Sequence, residues 1–324
     1  MSQITVMIIP GLTLAEVSDA DLARVRDAAG EGANIIVCDY REAATQAAGA
    51  DVILGIVPPD LFAQAKQLKW VQSISSGVDS FMYPEFINSA VVLTSEKGLV
   101  GEHLADHGFG LLLMLTRQLA AARDLGPESW NHRPRLRAQE LELTGATMGI
   151  IGFGGTGRAM ARRATAFGMH VRAVDIDPVP AGDGVEVVEP AEALGEVLAA
   201  SDVVAVCCPL THRTDNLINA DTLAQTKPGA FLINVTRGEV MDEDALVDAL
   251  KSGHLRGAGL DVAPREPLPA DSELWELPNV VMTPHTAGAS QFRAQRNLDR
   301  FIDNLGKFAR GETLDGIIDK TQGY

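Results

Sequence analysis

The chain alternates short apolar runs with segments of helical spacing. In its first hundred residues the stretches 4–9, 34–38, 51–57, 70–74 and 91–94 read as strands, and 14–29 and 61–68 as helices. Residues 101–123 read as one long helix. It is apolar nearly all round at Phe109, Leu111, Leu112, Leu113, Met114 and Leu115, so burial is predicted. Residues 126–140 form a polar, irregular excursion with Trp130 and several arginines. A second series begins at Thr147, with strands over 148–151, 170–174, 203–206, 230–234, 257–261 and 280–283. Helices are predicted over 158–167, 191–199, 242–252 and 291–310. This alternation predicts parallel sheets with helices on their faces, in two α/β domains.

Composition narrows the function. A chain of 324 residues, 46% hydrophobic, can build two packed cores. The net charge of −16 repels phosphate backbones and anionic lipid, which argues against nucleic-acid or membrane partners. It leaves room for a small anionic substrate held by a few local cations. Cys207 and Cys208 are adjacent, Cys38 stands apart, and no metal-type spacing occurs, so no metal and no disulfide framework are expected. The N-terminus runs straight into an apolar strand without a leader pattern, and the apolar stretch near Phe109 is too short to span a bilayer. A soluble cytoplasmic protein is the expectation.

The strand at 148–151 runs into Gly152, Phe153, Gly154, Gly155, Thr156 and Gly157, and a helix follows. Gly152 permits the tight turn, Gly154 lets the backbone approach a pyrophosphate, and Gly157 allows close helix–strand packing. The helix start points its N–H groups at the phosphates. The next strand ends at Asp175, about 20 residues on, where a carboxylate accepts from both ribose hydroxyls and repels a 2′-phosphate. NAD is therefore expected rather than NADP. Asp177 is the nearby alternative, but the proline after it suggests a chain already turning away.

Three later segments each lie just past a predicted strand, at the sheet edge where open α/β folds bind ligands. They run from Asn234 to Asp242 through Arg237-Gly238, from Asp261 to Glu266-Pro267, and from Pro284-His285 to Gly288. Reducing a 2-keto acid needs a hydride, a proton and a grip on the carboxylate. The Arg237 fork can pair with a carboxylate and polarise the carbonyl. His285 can exchange a proton with the alkoxide, since imidazoles ordinarily titrate near 6.5. Glu266 can hold the other ring nitrogen and favour the protonated ring.

With these segments in this order, the chain resembles the D-isomer-specific 2-hydroxyacid dehydrogenase family over nearly its whole length. The resemblance implies two Rossmann-like domains, a doubly wound NAD-binding domain inserted in a flavodoxin-like substrate domain. Residues 1–101 would begin the substrate domain, 102–290 would bind NAD with an interdomain helix at the start, and 291–324 would return to the substrate domain. Hydride would pass across the cleft between them. The resemblance makes Arg237, Glu266 and His285 the catalytic trio and places Asp261 near the nicotinamide carboxamide. Val235, Thr236, Arg237, His285, Ala287 and Gly288 would frame the cofactor pocket, with Cys207, Pro209 and Thr214 beside the adenosine ribose. Ser76, Gly77 and Val78 would offer backbone N–H groups to the substrate carboxylate, with Arg237 and His285 on the same substrate. A homodimer through the long helix and the Trp130 excursion is also implied.

Several departures refine the substrate. Relatives acting on phosphorylated acids often carry an arginine where residues 52–59 have no cation, so glyoxylate, hydroxypyruvate or an aliphatic 2-keto acid fits better than phosphoglycerate. Formate dehydrogenases carry Gln where Glu266 stands, and phosphite oxidation would want a cation in the Ser76 loop. His103 and His107, one helical turn apart, lack a carboxylate motif and suggest packing or a dimer face rather than a metal. The competing reading is a non-catalytic NAD-sensing protein on the same fold, similar to the superfamily's transcriptional corepressors. The presence of all three catalytic side chains counts against it.

Overall fold

The structure is a computed structural model and describes residues 3–324. The chain forms two compact units: Met1–Val100 with Ala289–Tyr324, and, inserted between these segments, Gly101–Gly288.

The first unit holds five parallel strands, β1 (Thr5–Ile8), β2 (Asn34–Val37), β3 (Val52–Leu54), β4 (Trp70–Gln72) and β5 (Val92–Thr94), in the order β2-β1-β3-β4-β5. Side chains alternate between the faces of a strand, so neighbouring residues enter different cores. Met7, Ile53, Val71 and Leu93 pack on one face. Ile8, Val52, Leu54 and Trp70 pack on the other. That second face is covered by the helix Arg293–Arg310, which buries Leu298, Phe301 and Leu305 and stacks Phe301 on Trp70 at 5.3 Å. The sheet face needs this cover, and it ties the C-terminal helix to the unit.

The inserted unit holds seven parallel strands: β6 (Thr147–Ile151), β7 (His170–Asp175), β8 (Val188–Pro190), β9 (Val203–Val206), β10 (Ala230–Asn234), β11 (Leu255–Leu260) and β12 (Val280–Met282). Their order is β12-β11-β10-β9-β6-β7-β8. Every residue of β9 and β10 is buried, which is why both read as apolar runs, broken only by Asn234 at the end of β10. The order reverses between β6 and β9, so the loops after these two strands flank the crevice where such sheets bind ligands.

Several elements depart from the sequence expectations. The helix expected over 14–29 begins at Asp19, because the Ser18 side chain accepts from Asp21 N and caps it there. Leu14 is buried from an irregular segment outside any helix, so its apolar spacing imitates a helical stripe. The single helix expected over 101–123 is two, Gly101–Thr116 and Leu119–Leu125. Gln118 adopts the left-handed region at φ 53° and its side chain bonds Leu115 O, which ends the first helix without a glycine. The excursion 126–140 contains a 3₁₀ turn, Gly126–Trp130, and a helix, Arg133–Gln139. The helices Tyr40–Gln46 and Ala220–Ala224 and the strand β8 were not expected.

Candidate active site

Beyond β6 the chain turns at Gly152, whose φ is +91°. A Cβ there would lie 2.7 Å from the backbone N and Cα of Cys208, so this glycine lets the loops after β6 and β9 touch. At Gly157 a Cβ would meet Gly152 O at 2.2 Å, which makes it the helix-packing glycine. A Cβ at Gly154 would meet nothing within 4 Å. The space before it is open, and the helix Gly155–Ala166 starts there with its first amides lacking intrahelical acceptors. An open backbone approach in front of a helix start fits a pyrophosphate.

Asp175 ends β7 and grips the same turn. Its Oδ2 accepts from Phe153 N at 2.6 Å and its Oδ1 from Asp177 N at 3.0 Å. The carboxylate thereby fixes the glycine turn. Arg158, the nearby cation, stacks on Phe153 at 4.6 Å and pairs with Asp183 at 3.3 Å. Between Cys207 and Thr214 the side chains shape the loop. Thr214 Oγ1 donates to Pro209 O at 2.6 Å and accepts from Thr211 N at 2.8 Å. Burial pushes the Cys208 thiol up to about 12 and raises Cys207 further, so both stay protonated.

Arg237, Glu266 and His285 lie beyond the ends of three neighbouring strands, β10, β11 and β12. Asn234, buried at the end of β10, accepts from Thr236 N at 3.0 Å and donates from Nδ2 to Arg237 O at 2.8 Å, which bends the chain and presents Arg237. Arg237 is half-buried, with Nη1 donating to Thr236 O at 2.9 Å. At Gly238 a Cβ would stand 1.9 Å from Ala263 C, so the loops after β10 and β11 press together there. The second loop carries Glu266, whose Oε1 accepts from Ala263 N at 3.1 Å and whose Oε2 lies 2.7 Å from His285 Nδ1. The carboxylate accepts, so Nδ1 bears the proton and Nε2 is left for chemistry. The His285 side chain is 43% exposed, within reach of a ligand.

His285 holds a left-handed φ of 54°, an uncommon conformation for a non-glycine residue. Its N–H donates to Asp261 O at 2.8 Å. The Asp261 side chain, 1% exposed, accepts from Thr286 N and Ala287 N, each at 2.8 Å, and from Thr283 Oγ1 at 2.6 Å. Here its carboxylate shapes the loop carrying His285 and Ala287. Val235 is buried beneath the site. Asn234 and Gly238 belong to the segment singled out in the sequence, but neither was given a role there. Asn234 was visible as a polar end to an apolar strand, but Gly238 owes its role to a loop that the sequence does not place beside it.

In the first unit the loop beyond β4 is set by Ser73, whose Oγ accepts from Ser75 N at 3.0 Å. The amides of Ser76, Gly77 and Val78 donate to no acceptor among the described residues. Successive N–H groups of this kind suit a carboxylate.

Comparison with known proteins agrees with this chemistry. Residues 109–287 match the family described as D-isomer specific 2-hydroxyacid dehydrogenase, NAD binding domain. The chain is 35% identical to a protein named glyoxylate reductase from Korarchaeum cryptofilum, over 82% of this chain and 80% of that one. A solved D-isomer specific 2-hydroxyacid dehydrogenase family protein from Aeromonas salmonicida superposes with a TM-score of 0.82 at 32% identity, covering 98% of this chain and all of that one. An NADPH-dependent glyoxylate/hydroxypyruvate reductase from Sinorhizobium meliloti, solved with NADP and sulfate, is 26% identical with a TM-score of 0.80, covering 99% and 100%. With its nucleotide-binding turn and its His–Glu pair at one sheet edge, the chain belongs to the D-isomer-specific 2-hydroxyacid dehydrogenases and is an NAD(P)-dependent oxidoreductase.

Proposed function

We propose that this protein interconverts a short 2-keto acid with an uncharged tail and its D-2-hydroxy acid, using NAD(H). The observation that carries the reading is the 2.7 Å contact of His285 Nδ1 with Glu266, on a loop pressed against the one that presents Arg237. The bound cofactor supplies or accepts the hydride. Arg237 clamps the substrate carboxylate and polarises the carbonyl. His285 Nε2 delivers a proton to the developing alkoxide or removes it in reverse, while Glu266 stabilises the imidazolium. Ser76, Gly77 and Val78 supply backbone amides to the substrate carboxylate.

NAD is favoured over NADP by Asp175 at the ribose end and by Arg158 being neutralised by Asp183. Around the crevice, Gly155, Thr156 and Gly157 bind phosphate, with Cys207, Pro209 and Thr214 lining the adenosine side. Val235, Thr236, Asp261, Ala287 and Gly288 frame the nicotinamide side. The absence of a cation between residues 52 and 59 supports glyoxylate, hydroxypyruvate or an aliphatic keto acid over phosphoglycerate. The domain assignment of 1–101, 102–290 and 291–324 is part of the reading. So is a cytoplasmic homodimer, supported by Trp130, 78% exposed on the excursion, and by three buried free thiols.

Consumption of NADH and NADPH with a panel of 2-keto acids tests this. Reduction with NADH, lost in Arg237→Ala, is expected. NADH binding without turnover of any acid would favour the NAD-sensing alternative instead.

A further inference from the structure

The helix Gly101–Thr116 brings an imidazole to the loop that carries His285. His107 Nε2 lies 2.7 Å from Thr283 Oγ1 and 3.5 Å from Asp261 Oδ1, and Thr283 Oγ1 lies 2.6 Å from the same Asp261 oxygen. An ionised carboxylate only accepts, so the threonine hydrogen goes to Asp261. The threonine oxygen must then accept from His107, which places a proton on Nε2. The chain of donors runs from His107 through Thr283 to Asp261, and Asp261 in turn collects Thr286 N, Ala287 N and, on its carbonyl, His285 N. The helix lies close on the core, since a Cβ at Gly108 would already meet Met160 at 3.3 Å and Ile233 at 3.4 Å.

We propose that His107 is a positioning residue for proton transfer. By donating to Thr283 it locks the threonine rotamer and so fixes one of the donors around the buried Asp261 carboxylate. It thereby keeps the 283–287 loop in the conformation that turns His285 into the left-handed region and aims Nδ1 at Glu266. The proposal rests on the function proposed above for its catalytic consequence, though its structural consequence can be read separately.

The test compares His107→Leu, His107→Gln, His107→Asn and Thr283→Val. A misplacement of about 1 Å at a reacting group costs about 100-fold in rate. His107→Leu should therefore lower kcat by about 10- to 100-fold, with KM for NADH and keto acid changed less than about 3-fold. Gln carries an amide N–H at the reach of Nε2 and should restore most of the loss, whereas the shorter Asn should not. Thr283→Val cuts the same link while leaving His107 in place, so it reports even if His107→Leu folds poorly. Hydrogen exchange of the 283–288 segment gives a readout independent of turnover. It should speed up in the Leu and Val variants, with β9 and β10 unchanged. Unaltered exchange and kcat in those variants would overturn the proposal. So would equal behaviour of Gln and Leu, which would reduce His107 to packing. Faster exchange in a protein that reduces no keto acid would support the positioning role and retire the proposed substrate chemistry.

Discussion

Gly238→Ala is a single methyl placed where the loop of Arg237 meets the loop of Glu266. The added Cβ would start 1.9 Å from Ala263 C and 2.0 Å from Ala263 O, and both contacts are backbone. Carbon atoms in contact settle about 3.5–4.0 Å apart, so the two loops must separate by roughly 1.5–2 Å. No side-chain rotation relieves this. Ala263 N also donates to Glu266 Oε1 at 3.1 Å, so the shift passes to the carboxylate that orients His285. A displacement of about 1 Å in a reacting constellation costs about 100-fold, which makes a loss of at least about 100-fold in kcat/KM the expected result. Overpacking should also cost about 1–3 kcal/mol of stability, a drop of several degrees in Tm. The glycine turn beyond β6 is untouched, so NADH binding should weaken far less than turnover. Steady-state kinetics with the best keto acid, a thermal melt and a fluorescence titration complete the assay. Kinetics within about threefold of wild type and an unchanged Tm would refute the reasoning, because the loops would then not be in backbone contact.

Other perturbations probe the remaining parts. Asp175→Ser removes the acceptor of Phe153 N and the ribose carboxylate together, so kcat/KM with NADH should fall at least about tenfold while the preference over NADPH shrinks; an unchanged NADH to NADPH ratio would remove Asp175 from cofactor choice. Burial raises the pKa of Cys38, Cys207 and Cys208, so at about pH 8 a disulfide thiol reagent should leave the native protein unlabelled and react with all three cysteines in denaturant; rapid native labelling would contradict that burial. Burial also pushes the Glu96 carboxyl above its ordinary 4.5 against the pull of Arg293 and Asn297. In the window that opens at 4.5 the folded chain therefore holds a proton that the unfolded chain has released, and stability contributed by this group falls as pH rises. Glu96→Gln should remove that contribution, so the wild-type minus variant difference in Tm should decline over about pH 4 to 6; a difference that grows with pH would reverse the assignment.

Much of this protein is written locally. Strand–turn–helix at β6 is a short-range pattern: apolar residues of the right length, glycines where the backbone needs them, then helical spacing. The same holds for Asp175, which ends the next strand, and for Arg237, Glu266 and His285, each just past a strand. Parallel strands buried on both faces are almost wholly apolar, so β9 and β10 were legible too. Sequence by itself therefore determined the α/β class, the glycine turn after β6 and the three side chains, Arg237, Glu266 and His285, to which acid, base and clamp chemistry is assigned in the proposed function.

Tertiary structure decided the rest, for reasons that act at long range. The helix break at Gln118 lies inside continuing apolar spacing, and only its φ of 53° reveals it. Leu14 looks helical because a buried loop residue and a buried helical one satisfy the same pattern. Gly238 is an ordinary turn glycine until the loop after β11 arrives against it. His107 is one of two histidines a turn apart on a helix until β11 and β12 carry Asp261 and Thr283 to it. Spacing along a chain specifies which way a side chain leaves its own element. Which partner it meets depends on the sheet order, which joins strands far apart in sequence, and the hydrogen bonds that aim His285 exist only once that order has formed.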